Sequence, residues 1–251
     1  MGRALIADPD LPNKAAAGQS EDIIRCVGCN DGCVGGSARG TGVGCALNPL
    51  TGREEMYDLS RVSSPKKVLV IGGGVAGLCA AFVCAERGHE VTLYESTGKL
   101  GGNMRLAAYP PGKGDITGMI RSYIVRCEKA GVKVRMNTAA DMETVKAEKP
   151  DAVIVATGSK TLILPIEGID NPAIIHGSDL LDGRRKAGEK VLVVGGGMVG
   201  CEIAAFLGEQ QHKVSIIEFR DTMGADMISE HRKYVMKDFE EYKVEQIVNA
   251  K

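Results

Sequence analysis

The chain has 251 residues, 44% of them hydrophobic and 25% charged, enough apolar matter to bury the core of one large domain or two ordinary ones. A formal net charge of -1 removes the electrostatic case for nucleic acid or an anionic membrane surface as a partner. The first thirty residues carry Arg3, Asp8, Asp10, Lys14, Glu21 and Asp22 and no apolar signal-peptide core, so a soluble, cytoplasmic protein is expected, with a homo-oligomer left open.

Residues 1–14 (MGRALIADPDLPNK) are too few for a domain. Ala4–Ala7 could pair as a strand before Asp8-Pro9 and Leu11-Pro12 break it; the plainer expectation is a disordered leader. Ser20–Arg25 resembles a capped half-turn of helix. Residues 15–62 hold Cys26, Cys29, Cys33 and Cys45, spaced C-x2-C-x3-C-x11-C and amounting to half of the chain's 8 cysteines. Three thiolates within eight residues can grip three corners of a cuboidal cluster, and the fourth can close it. The glycines between them let the backbone wrap tightly and aim N–H groups at the sulfurs. Zinc prefers paired CxxC knuckles, and a cytosolic chain of this size needs no disulfide staples. A [4Fe–4S] cluster is therefore favoured over zinc, disulfides or free thiols. Thr51–Pro65 is polar and reads as a linker.

Lys67–Leu78 (KVLVIGGGVAGL) opens the next region, expected to run from 63 to 188. Val68–Ile71 has the apolar run of a strand buried in a parallel sheet, and Gly72, Gly74 and Gly77 follow at GxGxxG spacing. The first glycine allows a tight strand-to-helix turn, the second lets a pyrophosphate approach the backbone, and the third lets helix and strand pack. The uncharged run from Val68 to Ala85 is therefore strand, turn and helix, not a membrane span. A second strand, His89–Glu95, ends in Glu95, 23 residues after Gly72, where a carboxylate can bind an adenosine ribose. Lys99–Gly102 (KLGG), with Asn103 just beyond, reads as a second loop on the phosphate side.

After Pro110-Pro111-Gly112-Lys113, the residues Ile116, Met119, Ile120, Tyr123, Ile124 and Cys127 stripe one face of a helix. Cys127 then reads as a small core residue, as do Cys79, Cys84 and Cys201. Val132–Met136 and Asp151–Gly158 read as strands, the latter buried and ending in Ala156-Thr157-Gly158, small enough for a flavin to approach. The opening pattern then repeats within 189–251. Val191–Gln210 carries Gly195, Gly197 and Gly200 at GxGxxG spacing, and Val214–Glu218 ends in Glu218, again 23 residues after the first glycine. Two fingerprints imply two dinucleotides, as in proteins that pass a hydride from a nicotinamide to a flavin. Ile228, Val235, Phe239 and Tyr242 stripe a last helix, and Val244–Val248 reads as a third strand. The histidines form no constellation: His89 and His212 occupy the same turn in the two repeats, and His176 and His231 have no evident partners.

IRCVGCNDGC, the x11 step to Cys45, Asn48-Pro49 and the linker into VLVIGGGVAGL together resemble the iron–sulfur branch of the old yellow enzyme family. That branch includes 2,4-dienoyl-CoA reductase, enoate reductases and trimethylamine dehydrogenase. The resemblance implies an N-terminal barrel carrying FMN, a [4Fe–4S] cluster, FAD and NAD(P)H; Glu218, placed where the fingerprint's acid bonds a ribose 2′-hydroxyl, favours NADH, with Arg220 two residues on as the competing consideration. It implies that residues 1–14 are the end of a barrel strand, with Gly2-Arg3 at the FMN phosphate. FAD contacts in the family match Ala76, Glu95, Asn103, Lys113 and Ala140, with Gly102, Thr157 and Gly158 nearby.

The expected fold class is α/β. Two doubly wound (Rossmann-like) dinucleotide-binding domains stand in tandem, both incomplete, after a cysteine-rich iron–sulfur segment. The expected function is the electron-input portion of a reductase acting on an activated C=C bond, with the FMN barrel in the same chain or a separate subunit. The alternatives are an amine dehydrogenase-type flavoprotein and an electron-transfer subunit with no substrate site. No catalytic acid or base is legible.

Overall fold

A computed structural model of the chain describes residues 1–163 and 165–250; Leu164 and Lys251 lie outside the description. The described residues form two compact units, each built on one parallel sheet. The first comprises residues 1–28, 32–107 and 115–160, and the second residues 29–31, 108–114 and the described part of 161–251. Among the described residues no helix is long and apolar enough to cross a membrane.

The first unit opens with two short helices, α1 (Gly2–Ala7) and α2 (Leu11–Ala16), and a single turn, α3 (Gly36–Ala38). Gly2–Ala7, expected as the end of a barrel strand, is thus helical. No strand among the described residues pairs with it, so its backbone closes bonds locally, with Leu5 N–H to Met1 O at 3.1 Å and Asp8 N–H to Ala4 O at 2.9 Å. Nor is the segment a disordered leader: Ala7 and Asp8 are buried.

Next come β1 (Lys67–Ile71), α4 (Val75–Glu86), β2 (Glu90–Tyr94), α5 (Asp115–Lys129), β3 (Lys133–Arg135), α6 (Met142–Glu148) and β4 (Ala152–Val155). The strands pair in the order β3-β2-β1-β4, all parallel, with Val68 opposite both Val91 and Ala152. Leu69, Val70 and Leu93 are buried together with Leu78 and Phe82 of α4. The stripe of α5 turns inward as its spacing requires: Ile116, Met119, Ile120, Tyr123 and Cys127 are buried and Ile124 half-buried. Tyr123 meets Phe82 edge to face at 5.2 Å between ring centroids. Burying these aliphatic and aromatic side chains contributes roughly 1.5–3 kcal/mol each. An apolar run alone made β4 a buried strand; it is instead an edge strand, with Val153 and Val155 exposed.

The second unit contains α7 (Gly177–Leu181), β5 (Lys190–Val194), α8 (Met198–Glu209), β6 (Lys213–Ile217), α9 (Ser229–Glu241) and β7 (Glu245–Ile247), with parallel strands in the order β5-β6-β7. Its core gathers Cys201, Leu207, Ile216, Val235 and Phe239. Its long continuous stretch starts at Thr161, and Leu180 and Leu181 of α7 pack on this core. Residues 108–114 also join it, through the Tyr109 ring edge-to-face on Phe206 and the ion pair of Lys113 with Glu202.

In both units the third fingerprint glycine sits against the first. A methyl group on Gly77 would overlap the Gly72 carbonyl oxygen, and one on Gly200 the Gly195 carbonyl oxygen. The obstacle is backbone in each case and cannot swing aside. Gly77→Ala and Gly200→Ala should each destabilise their unit by about 3 kcal/mol or more, at or beyond the usual range for overpacking. Gly114→Ala, with open space around it, should be near neutral. Urea unfolding of the three variants is the check.

Candidate functional site

The first glycine loop lies where β1 and β4 run side by side, the switch point of a 3-2-1-4 strand order and the place where open parallel sheets take ligands. Gly72 has φ +108°, a conformation other residues rarely adopt, and a side chain there would strike the Ala156 carbonyl. Gly72 N–H reaches back to Tyr94 O at 2.8 Å, while Glu95 Oε2 accepts the Gly73 N–H at 2.8 Å. Glu95 Oε1 accepts the Thr97 N–H and hydroxyl, each at 2.7 Å, and the Ser96 hydroxyl at 3.3 Å. Burial alone would push this carboxyl up. The bonds from Thr97, Gly73 and Ser96 outweigh it and hold the group below the usual range, charged at neutral pH.

Ala76 is exposed in the first turn of α4, Ala140 is half-buried beside the Asp141 cap of α6, and Thr157 and Gly158 are exposed just past β4. Asn103 donates a long 3.5 Å bond to Ser159 O.

The second loop repeats this arrangement nearly bond for bond. Gly195 has φ +103° and donates to Ile217 O at 2.9 Å, and Glu218 Oε2 accepts the Gly196 N–H at 2.6 Å. Glu218 Oε1 takes the Arg220 N–H at 2.9 Å. That bond, against the opposing effect of burial and with help from Gly196, holds the Glu218 carboxyl low.

A third limb of the repeat was read in the first unit alone, as the loop at Lys99–Gly102, and its counterpart in the second unit escaped the sequence reading. Gly101 N–H bonds Gly73 O at 2.8 Å in the first unit, and Gly224 N–H bonds Gly196 O at 2.6 Å in the second. Leu100–Met104 (LGGNM) and Met223–Met227 (MGADM) are therefore equivalent, each placing a glycine 29 residues after the first of its fingerprint. That equal offset was the available signal.

The cysteine segment is tied down at both ends by α1. Asp8 Oδ2 accepts the Ile24 N–H at 2.8 Å, just before Cys26, and Lys14 pairs with the same carboxylate at 2.8 Å. Beyond Cys45, Asn48 Nδ2 and the Thr51 hydroxyl both donate to Ile6 O, at 3.0 and 3.1 Å. Within the segment Gly44 N–H bonds Gly32 O at 2.8 Å, a contact so close that a side chain on Gly32 would come within 2.7 Å of the Gly44 backbone. This joins the strands of chain carrying Cys33 and Cys45. Leu47 N–H points at Cys45 Sγ from 3.4 Å, and Leu47 O accepts the Tyr123 hydroxyl at 3.1 Å.

None of the four thiols is in a disulfide and all are partly or fully exposed; Cys26, Cys33 and Cys45 belong to the first unit and Cys29 to the second. Among the described residues no three His, Cys, Asp or Glu converge as a single metal ion requires. A cuboidal cluster asks for something else, since each thiolate binds its own corner. The glycine-lined wrap and the N–H aimed at sulfur fit that donor set.

Other expected site residues are placed apart. Gly2 and Arg3 are exposed in α1. Lys113 lies in the second unit, ion-paired to Glu202, which also has His231 Nε2 at 3.6 Å, so His231 does have partners. Burial, then the Lys113 charge, pushes the His231 imidazole down despite Glu202. His89 Nδ1 accepts the Lys66 N–H at 3.1 Å and His212 Nδ1 lies 2.7 Å from Gly188 O, each tying its turn to the chain just before the unit's first strand.

Two parallel sheets, each with a glycine loop wired to the acid that ends its second strand, define a protein built to hold two dinucleotides. Residues 66–251 match the pyridine nucleotide-disulphide oxidoreductase family, and the chain belongs to it. It is 41% identical to a cinnamate reductase of Clostridium sporogenes over 88% of this chain and 33% of the relative. It is 40% identical to an NADH oxidase of Thermoanaerobacter brockii over 95% of this chain and 38% of the relative. The fold superposes on a solved 2-naphthoyl-CoA reductase with a TM-score of 0.96 at 34% identity, covering 99% of this chain and 38% of that one. The chain thus spans little more than a third of the proteins it matches. It corresponds to the C-terminal portion of the iron–sulfur branch of the old yellow enzyme family, as the cysteine spacing suggested.

The cysteines divide chemically as well as spatially. Burial pushes the Cys127 thiol up to about 12 and the Cys201 thiol up to about 11. Since the thiolate is the nucleophile, iodoacetamide at pH 8 should label Cys26, Cys29, Cys33 and Cys45 in iron-free native protein and spare Cys127 and Cys201 until denaturant is added. Peptide mass mapping before and after unfolding checks this.

Proposed function

We propose that the chain is the electron-input portion (NAD(P)H to FAD to [4Fe–4S] to FMN) of a flavin-dependent reductase that acts on an activated C=C bond. The observation that carries this reading is the doubled loop geometry, with Glu95 on Gly73 and Glu218 on Gly196, beside a four-cysteine segment pinned to the first unit.

In this reading the first loop holds FAD: Gly72, Gly74 and Gly77 bring the backbone to the pyrophosphate and Glu95 faces the ribose. Ala76, Gly102, Asn103, Ala140, Thr157 and Gly158 line the approach. Lys113 is left out of that set, because its ammonium is engaged by Glu202. Gly195, Gly197, Gly200 and Glu218 serve the nicotinamide nucleotide in the same way. Cys26, Cys29, Cys33 and Cys45 are the four thiolates of the cluster, and Gly2-Arg3 faces the FMN phosphate of a barrel in the same polypeptide or in a partner subunit. When bound, these groups supply hydride and one-electron transfer; the chain's residues bind, orient and exclude water.

Glu218 also sets nucleotide choice. Its carboxylate stays charged, and a 2′-phosphate set against it at about 4 Å would meet about 4 kcal/mol of repulsion per charge pair at an effective dielectric near 20. Screening at an open site reduces this to roughly tenfold to hundredfold discrimination against NADPH. Stopped-flow reduction of bound FAD in the complete protein should favour NADH by that margin; equal or faster reduction by NADPH would assign the preference to Arg220.

Anaerobic reconstitution should give about four irons per chain and a broad visible band that bleaches on reduction, as four-thiolate clusters do. Cys33→Ala should lose both and Cys127→Ala neither; stoichiometric zinc without the band would refute the cluster.

A further inference from the structure

The two loops share a third limb but not its charge. Aligned on Gly101 and Gly224, Asn103 of the first unit is matched by Asp226 of the second. The Asn103 amide bonds Ser159 O at 3.5 Å. Asp226 is engaged with the helix itself: its Oδ1 accepts the N–H of Met198, the first residue of α8, at 2.8 Å. Its Oδ2 lies so near Gly197 that an added Cβ would come within 3.4 Å. Among the described residues no lysine, arginine or histidine is ion-paired with Asp226. The Met198 N–H belongs to the positive end that a dinucleotide helix presents to a pyrophosphate. In the first unit no carboxylate among the described residues is hydrogen-bonded to the equivalent Val75 N–H.

We propose that Asp226 is an electrostatic brake on the second nucleotide, its carboxylate holding the helix terminus that the pyrophosphate must reach. The inference rests on reading the second unit as the nicotinamide-nucleotide site. With the site free, the carboxylate caps α8 and is favoured by the helix dipole. An arriving pyrophosphate displaces it from the Met198 N–H and then shares the space with a like charge; both effects weaken binding and speed release. Neutral Asn103 imposes no such repulsion on the first loop. One polar atom, oxygen in place of an amide nitrogen, thus separates a nucleotide that stays from one that exchanges. This is the division of labour a flavin and a consumable hydride donor require.

The test uses the full-length protein with its cofactors and ADP-ribose, which carries both phosphates but cannot reduce the flavin. By calorimetry at low salt, Asp226→Asn should bind ADP-ribose about tenfold more tightly than wild type, and the gap should narrow in 1 M NaCl, where charges are screened within about 3 Å. Asp226→Ser, uncharged and smaller, should likewise bind more tightly than wild type and guards against a folding defect peculiar to asparagine. Asn103→Asp should leave ADP-ribose affinity unchanged but release FAD about tenfold faster during gel filtration. If wild type binds ADP-ribose and both neutral variants bind it equally or more weakly, or with a gap indifferent to salt, the brake is overturned. If none of the proteins binds it, the nucleotide reading of the second unit falls too, and the inference with it.

Discussion

The constraint on which both units depend is the contact between the carbonyl of the first fingerprint glycine and the Cα of the third, Gly72 with Gly77 and Gly195 with Gly200. It fixes how closely the helix can follow the strand, and so where the helix N-terminus points. Everything else at each site is arranged about that fixed elbow. The second strand runs alongside and delivers a carboxylate to the N–H of the residue between the first two fingerprint glycines, and a later loop returns to bond that residue's carbonyl. That residue, Gly73 or Gly196, therefore has both backbone polar groups satisfied from within the fold. That leaves the N–H groups of the helix end for an outside anion.

The two acids serve the fold before they serve any ligand. Glu95 takes bonds from Gly73, Ser96 and Thr97, and Glu218 from Gly196 and Arg220. Each is held charged by those donors, so a ribose hydroxyl would meet a preorganised acceptor that needs no proton loss to receive it. Stability and binding draw on the same carboxylate, and its removal would be felt in both.

What the sequence made legible was whatever short-range chemistry determines. The fingerprints, their terminal acids, the α5 stripe and the shared role of His89 and His212 follow from residues a few positions apart, and the structure has them where spacing put them. Features decided by distant partners were not legible. Ala4–Ala7 suits a strand or a helix equally, and only the absence of a pairing strand among the described residues makes it α1. Ala152–Val155 is as apolar as β1, and only its edge position leaves Val153 and Val155 exposed. Lys113, expected as a flavin contact, is ion-paired to Glu202, 89 residues away, a partner that no local spacing announces. The third limb of each loop lies between these cases, since its bond is distant but its offset is written in both repeats.

The clamp on the cysteine segment has a thermodynamic consequence. Ile24 and Asn48 flank the four thiols and are both tied to α1, one through Asp8 and the other through Ile6. The chain between them is already a closed noose before any iron arrives. For a free segment of about twenty-five residues, drawing its ends together would consume conformational entropy that grows with the logarithm of its length. Here folding of the first unit meets that cost, so in the proposed cluster thiolate–iron bonding would go to the metal rather than to gathering the chain. The same tie acts the other way: whatever loosens α1 also opens the noose, and a cluster held as proposed would be lost from a protein whose two sheets remain intact.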